Sequence, residues 1–358
     1  MPKRVGFLYE KMANKELIEK AILFASKNKK NKKRIINKIL FNIDYYVEDI
    51  YKMIVNKTFV PSEPKRFERY DVSSKKIRII ETVPFYPDTV IQHLILLVIE
   101  PHILKSMYYH CYASVPKKGA TRMRKYIKRK LREDRKGTKY CAELDIKKYY
   151  QSISVDKLKA ALERKFKDKD LLKLIYDILD TCSNGIAIGY VINHWMANYY
   201  LQPLDYFITS KKAVSGYCRY MDNLTIFSGN KRKLHKVVKE IQEFIDVNLG
   251  LKLKENWQIF PTSKRPVNAG GYRFYNKYIL MRQGNFLRFT RLSNKVYKKQ
   301  SQKRPVCFKQ ASSLLTRTGQ LKFYNNLNIR TKYLDRIERK PLRKVIKDEN
   351  KKGKKGKQ

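Results

Sequence analysis

The stretch GYCRYMDNLTIF, residues 216–227, decides how the rest of the chain is read. Aromatic and β-branched residues on either side of Asp222-Asn223 give two short strands folded about that Asp-Asn pair. Both residues tolerate left-handed backbone, so an ordinary β-turn with no chemistry explains the pair as well. What would give the turn a purpose is a second carboxylate beside it. The segment KYCAELDIKKYY (139–150) reads as a strand ending in a turn, with Asp145 at its end. Two Asp residues on neighbouring strands of a rigid sheet can hold a pair of divalent ions about 3.5–4 Å apart, the arrangement that nucleotidyl transfer requires. Taken alone, an Asp in this setting is more often a turn or helix-cap residue than a metal ligand.

Composition narrows the partners. The chain of 358 residues carries 80 Lys and Arg against 32 Asp and Glu, a formal charge of +48. Such a charge opposes compaction and calls for a polyanion. A membrane is not the expected partner: the apolar run LILLVI (94–99) falls far short of the ~20 residues a span needs. The opening MPKRVGFLYEKM carries no apolar core of a secretory signal. Five cysteines with no C-x-x-C pair fit a reduced, cytoplasmic protein without structural zinc. The 26 tyrosines argue against a disordered polycation and for a folded nucleic-acid binder whose rings stack on bases.

Along the chain, residues 8–57 read as helices interrupted by the basic run SKNKKNKKR (26–34). NKILFNIDYYVEDIYKMI (37–54) repeats apolar residues at helical spacing. KKIRIIETV (75–83) reads as a strand, residues 88–108 as an apolar helix kinked at Pro101, and 112–134 as a basic loop entering a basic helix. Helices are expected over 156–180, 191–207 and 231–248, a second hairpin over 270–289 and a basic helical region from 291. The tail KDENKKGKKGKQ (347–358) has nothing to bury and is expected to be disordered. Strands alternating with helices give a mixed α/β or α+β class around one sheet.

In order, these segments resemble a bacterial reverse transcriptase, closest to those of diversity-generating retroelements and group-II-like lineages. LYEK (8–11) and 75–103 resemble the first finger blocks, and YASVPKKGATRMRKYI (112–127) the template-handling loop and helix. CAELDIKKYYQSI (141–153) resembles motif A, GIAIGYVINHWMANYYLQPLD (185–205) motif B, and RYMDNLTIF (219–227) the catalytic hairpin with Asn for its second Asp. LGLKLKENWQIFPT (249–262), GGYRF (270–274) and SLLTRTGQLKFYNNLN (313–328) resemble the following block, the primer-gripping hairpin and a thumb block. The resemblance covers roughly residues 8 to 345. It implies a right-hand polymerase fold of α+β class, with fingers, an antiparallel palm sheet flanked by helices and a helical thumb. The expected divisions are a basic helical extension (1–70), fingers (71–138), palm (139–290, its motif B loop and helix at 185–207) and thumb (291–346).

The same resemblance implies roles. Asp145 and Asp222, with the carbonyl of Ile146, would hold two Mg²⁺ ions, for which Mn²⁺ is the expected substitute, and Asn223 would stand beside them. Tyr150 falls where an aromatic ring blocks a ribose 2′-hydroxyl. Lys76 and Arg78 match the positions that clamp the triphosphate; on the residues alone they are a solvated strand edge. Gly189 would let the backbone approach the nucleotide, and Ile188, where most of the family has Gln, cannot hydrogen-bond it. Lys117, Lys118 and Gly119 would touch the template, and Gly271, Tyr272 and Arg273 the primer.

Departures also stand out. Asn193-His194 replaces the Ser-Gln usual in the subgroup, and Trp257 stands where many polymerases have a Lys that protonates pyrophosphate. Lys252 and Lys254 are close by without being assigned that task. Glu143 shares a strand face with Asp145 and either lends charge to the metals through water or pairs with a surface Lys. Viral RNA polymerases with Gly-Asp-Asn at this hairpin imply that Asn is compatible with turnover. The leading expectation is an RNA-directed DNA polymerase of a bacterial or phage retroelement, copying a cognate RNA from a DNA or RNA primer with dNTPs, at reduced fidelity. With no endonuclease or zinc ribbon visible, an accessory protein is expected. The alternatives are an antiphage-type reverse transcriptase making untemplated or repetitive DNA, and a catalytically dead RNA-binding scaffold.

Overall fold

The computed structural model describes residues 4–27, 29, 33–71, 76–325 and 327–355. A first antiparallel pair, β1 (Lys65–Asp71) and β2 (Lys76–Thr82), projects with most of its side chains exposed. The central sheet is antiparallel and has four strands: β3 (Tyr140–Asp145), β4 (Gly216–Tyr220), β5 (Asn223–Ser228) and β6 (Gln258–Pro261), in the order β4-β5-β3-β6. A third, smaller sheet joins β7 (Val267–Ala269), β8 (Tyr272–Phe274) and β9 (Ile279–Met281).

Strand alternation gives the central sheet two different faces. Ala142, Leu144, Leu224 and Ile226 enter the main core. There the helix Lys231–Phe244 lies against β3, β5 and β6. Its apolar residues Leu234, Val237, Val238 and Ile241 recur on one side, and the Asn230 side chain caps its start. Cys141, Cys218, Phe227 and Phe260 enter a second core with Met123, Ile127, Tyr272 and Phe274. This second core docks the basic helix Ala120–Glu133 and the β7–β9 sheet onto the opposite face. A third core joins the helices Gln283–Ser301, Phe308–Gln320 and Arg339–Lys355.

Two expectations change. The hairpin expected to reach residue 289 ends at Met281, and the helix begins at Gln283, where Phe286, Phe289 and Val296 give it an apolar side. The tail expected to be disordered from residue 347 is helical to Lys355; residues 356–358 lie outside the described residues. Leu342, Val345 and Ile346 anchor that helix in the third core, and Lys-rich sequence propagates a started helix well. The described residues contain no helix long and apolar enough to cross a membrane.

Candidate active site

The opening hairpin forms, one residue out of the expected phase. Tyr220 pairs with Asn223, so the two-residue turn is Met221-Asp222 and Asn223 is the first residue of β5. Met221, with φ 57°, takes the left-handed position that Asp or Asn was expected to fill. A side chain there costs about 1–3 kcal/mol and persists only where its surroundings impose it. Here the surroundings do so. Arg219, fully buried, donates to the Met221 carbonyl at 3.1 Å, to both oxygens of buried Asp205 at 2.7 and 2.8 Å, and to Asn198 at 3.0 and 3.2 Å. Those contacts engage every donor of the guanidinium. Tyr217 adds a hydrogen bond to Asp205 at 2.7 Å.

Asp145 ends β3 directly opposite Asn223, and the Ile146 amide donates to the Asp222 carbonyl at 3.3 Å. The ends of the two strands are thereby tied together, with both Asp residues half-buried. Burial, then the charge of Asp145, raises the pKa of Asp222; Lys254 and the Asn223 amide, which donates to Asp222 Oδ1 at 3.0 Å, act against that rise. Oδ1 of Asp145 is buried, and the Lys254 ammonium forms an ion pair with it. Two mutually repelling carboxylates, one of them already drawing in a lysine ammonium, fit a divalent cation. No group of three or more His, Cys, Asp or Glu gathers as a metal site among the described residues, so the donors in question are these two carboxylates and nearby backbone.

Tyr150 stands beside the hairpin: its hydroxyl lies 2.7 Å from His194 Nδ1 and 3.8 Å from Met221 Sδ. Gly189, with φ 134°, lies where two backbones approach closely. A Cβ there would strike the carbonyl of Glu81 on β2, and the Glu81 amide donates to Ile188 at 3.0 Å. The close approach is therefore to the projecting hairpin, which carries Lys76 and Arg78 exposed on one face. Arg78 meets Asp71 across that hairpin at 3.2 Å.

The other expected contacts divide. Lys117 is exposed, while Lys118 donates to the Tyr109 carbonyl at 2.5 Å and covers the Tyr109 ring. Gly119 supplies a φ of 97° just before the basic helix. Gly271 turns the β7–β8 connection with φ 86°. Arg273 lines a polar cavity of about 500 Å³ with Arg265 and Arg282. Tyr272 does not face a substrate; its ring is buried against Phe274 and Tyr324, because strand alternation turns it toward the second core. Glu143 does not pair with a surface Lys. Its carboxylate accepts from the Asn268 amide at 2.5 Å in that same cavity.

The sequence assigns no role to Arg219, Asp205 or Met221, marks His194 only as a departure, and leaves Lys254 unassigned. Polar Asn193, His194 and Asn198 inside the apolar helix Val191–Tyr200 were a legible signal, since a buried polar group needs a partner. Nothing in the local pattern announces that Arg219 turns inward.

The model of the reverse transcriptase (RNA-dependent DNA polymerase) family matches residues 64–274. Among solved structures, the chain is similar to telomerase from Candida albicans in complex with the TWJ fragment of telomeric RNA. The identity is 11% and the TM-score 0.47, over 63% of this chain and 46% of that one. It is also similar to apo telomerase from Candida tropicalis, at 10% identity and TM-score 0.47 over 60% and 47% of the two chains. The form of that enzyme truncated from its C-terminal domain gives 12% and 0.45 over 63% and 54%. The chain thus spans about half the length of these structures. A search of curated proteins finds no match. The matched span holds β1 to β8, the hairpin and both Asp residues, and the chain belongs to the reverse transcriptase family.

Proposed function

We propose that the chain is an RNA-directed DNA polymerase that extends a primer on a cognate element RNA. The observation that carries this reading is the register of β3 against β5, which brings Asp145 and Asp222 to one end of one sheet. Asp145, Asp222 and the Ile146 carbonyl would hold two Mg²⁺ ions, which when bound supply Lewis-acid stabilisation of the charge that develops as the 3′-hydroxyl attacks and pyrophosphate leaves. The chain's own residues do the rest. Arg78 exchanges Asp71 for the triphosphate, with Lys76 beside it on the same face. The Tyr150 ring excludes a 2′-hydroxyl. Ile188 offers the base pair no hydrogen bond, which favours reduced fidelity. Lys117, Lys118 and Gly119 handle the template, and Gly271 and Arg273 the primer. In this reading the chain divides into fingers, palm and thumb as set out above, except that the thumb begins with the helix at Gln283 and not at residue 291. The retroelement reading also includes a bacterial or phage source, a cytoplasmic site of action and an accessory protein.

Asp145→Ala and Asp222→Ala should each abolish dNTP incorporation on an RNA template in Mg²⁺ while RNA affinity stays within about twofold, because the basic surface is untouched. Near wild-type extension by either variant would refute the site. A second reading, a silent RNA-binding scaffold, draws on Asn223 and on the ion pair between Lys254 and Asp145. It requires the unaltered chain to be inactive and Asn223→Asp to switch it on.

A further inference from the structure

Tyr150 sits on a helix of a single turn, Tyr149–Ser152, whose preceding residue Lys148 is left-handed at φ 46°. So short a helix has no internal ladder of hydrogen bonds to hold its side chains in place. Both of its tyrosines are instead fastened to one longer helix, Val191–Tyr200. The Tyr149 hydroxyl donates to the Ala197 carbonyl at 2.5 Å, and the Tyr150 hydroxyl lies 2.7 Å from His194 Nδ1. Positions 194 and 197 are three apart and share a helix face. The rings of Tyr150 and His194 meet edge-on, at 84° with centroids 6.0 Å apart. Burial lowers the pKa of His194 and raises that of Tyr150, so a neutral phenol and a neutral imidazole share this hydrogen bond, its direction set by the imidazole tautomer. The adjacent Asn193 donates to the Ala187 carbonyl at 3.1 Å and holds the loop that carries Ile188 and Gly189.

We propose that His194 is a positioning residue for sugar selection: it fixes the Tyr150 ring through the hydrogen bond with its hydroxyl, and so sharpens the choice of dNTP over NTP. The inference rests on the reading of Tyr150 as the sugar filter. A steric filter discriminates only as well as its ring is held, because a ring free to tilt yields to the extra oxygen. The Asn193-His194 pair thereby acquires a task, one residue anchoring the loop and the other the ring.

The test compares kcat/KM for dGTP and GTP on poly(rC) with an oligo(dG) primer. His194→Ala should lower the dGTP-to-GTP ratio roughly three- to tenfold, the worth of one buried hydrogen bond. His194→Asn, which offers an amide oxygen near the Nδ1 position, should restore most of it. Tyr150→Phe keeps the ring and removes the hydroxyl, so it should match His194→Ala, and the double variant should fall no further. These two conservative changes keep the test valid if His194→Ala folds poorly. An unchanged ratio in His194→Ala and Tyr150→Phe, with collapse in Tyr150→Ala, would leave the filter standing and remove His194 from it. An unchanged ratio in Tyr150→Ala would sink the filter and this proposal with it. Additive losses in the double variant would mean that His194 does not act through the hydroxyl, and would overturn the proposal alone.

Discussion

Asn223 gives its amide to Asp222 and adds no charge of its own beside Asp145. Asn223→Asp would add a negative charge beside the cations, so half-maximal extension should need less Mg²⁺, with turnover equal or higher. A raised Mg²⁺ requirement would contradict this. Glu143→Gln should leave the Mg²⁺ dependence unchanged in either background, because Asn268 already holds that carboxylate; a non-additive cycle would restore Glu143 to the metal site. Asp222 also bears on stability. Its pKa is raised by burial and by Asp145, so the folded state keeps this proton at a pH where the unfolded chain has lost it. That opposes folding at neutral pH, and the penalty fades as pH falls through the raised pKa. Metal-free Asp222→Asn should therefore melt a few degrees higher at pH 7, about 1 kcal/mol, while losing activity. No gain would show that the repulsion is already relieved. At this scale the two carboxylates were legible, because motif and spacing carried them. The lysine that pairs with Asp145 was not, since Lys254 reaches the site from another segment.

The elements themselves were written in periodicity, and β3, β4 and β5 of the central sheet stand where the sequence puts strands, whereas β6 carries no such signal. The hairpin turn was misread by one residue because Asp222-Asn223 is the better turn pair by propensity, whereas Arg219 imposes the left-handed backbone on Met221. Met221→Gly should therefore be more stable than Met221→Ala, by about 1 kcal/mol, because only Gly takes that backbone without strain. Chemical denaturation of both variants checks the order, and the reverse order would deny the strain. The tail is helical for a related reason: residues 347–355 have little to bury themselves, but their helix is anchored upstream at Leu342.

At the scale of the molecule, the net charge of +48 is the most legible property, and its distribution the least. Basic residues of the Ala120–Glu133 helix and of Gln283–Ser301 stand on exposed faces. RNA affinity should fall steeply with salt, each contacted phosphate adding about 0.7 to the slope of log K on log salt for a single strand. Several contacts give a slope of several units. A flat dependence would mean that the charge serves something other than a phosphate backbone.

The buried pairing of Arg219 with Asp205 constrains how such a chain can change over generations. Losing either partner alone strands a charge in the core, at about 3–5 kcal/mol, and frees the turn that presents Asp222. A lineage can therefore abandon the pair only in two nearly simultaneous steps, or after some other support for Met221 has arisen. In related chains that keep an active hairpin, positions 205 and 219 should be inherited as a unit, with position 198 drifting in step with them.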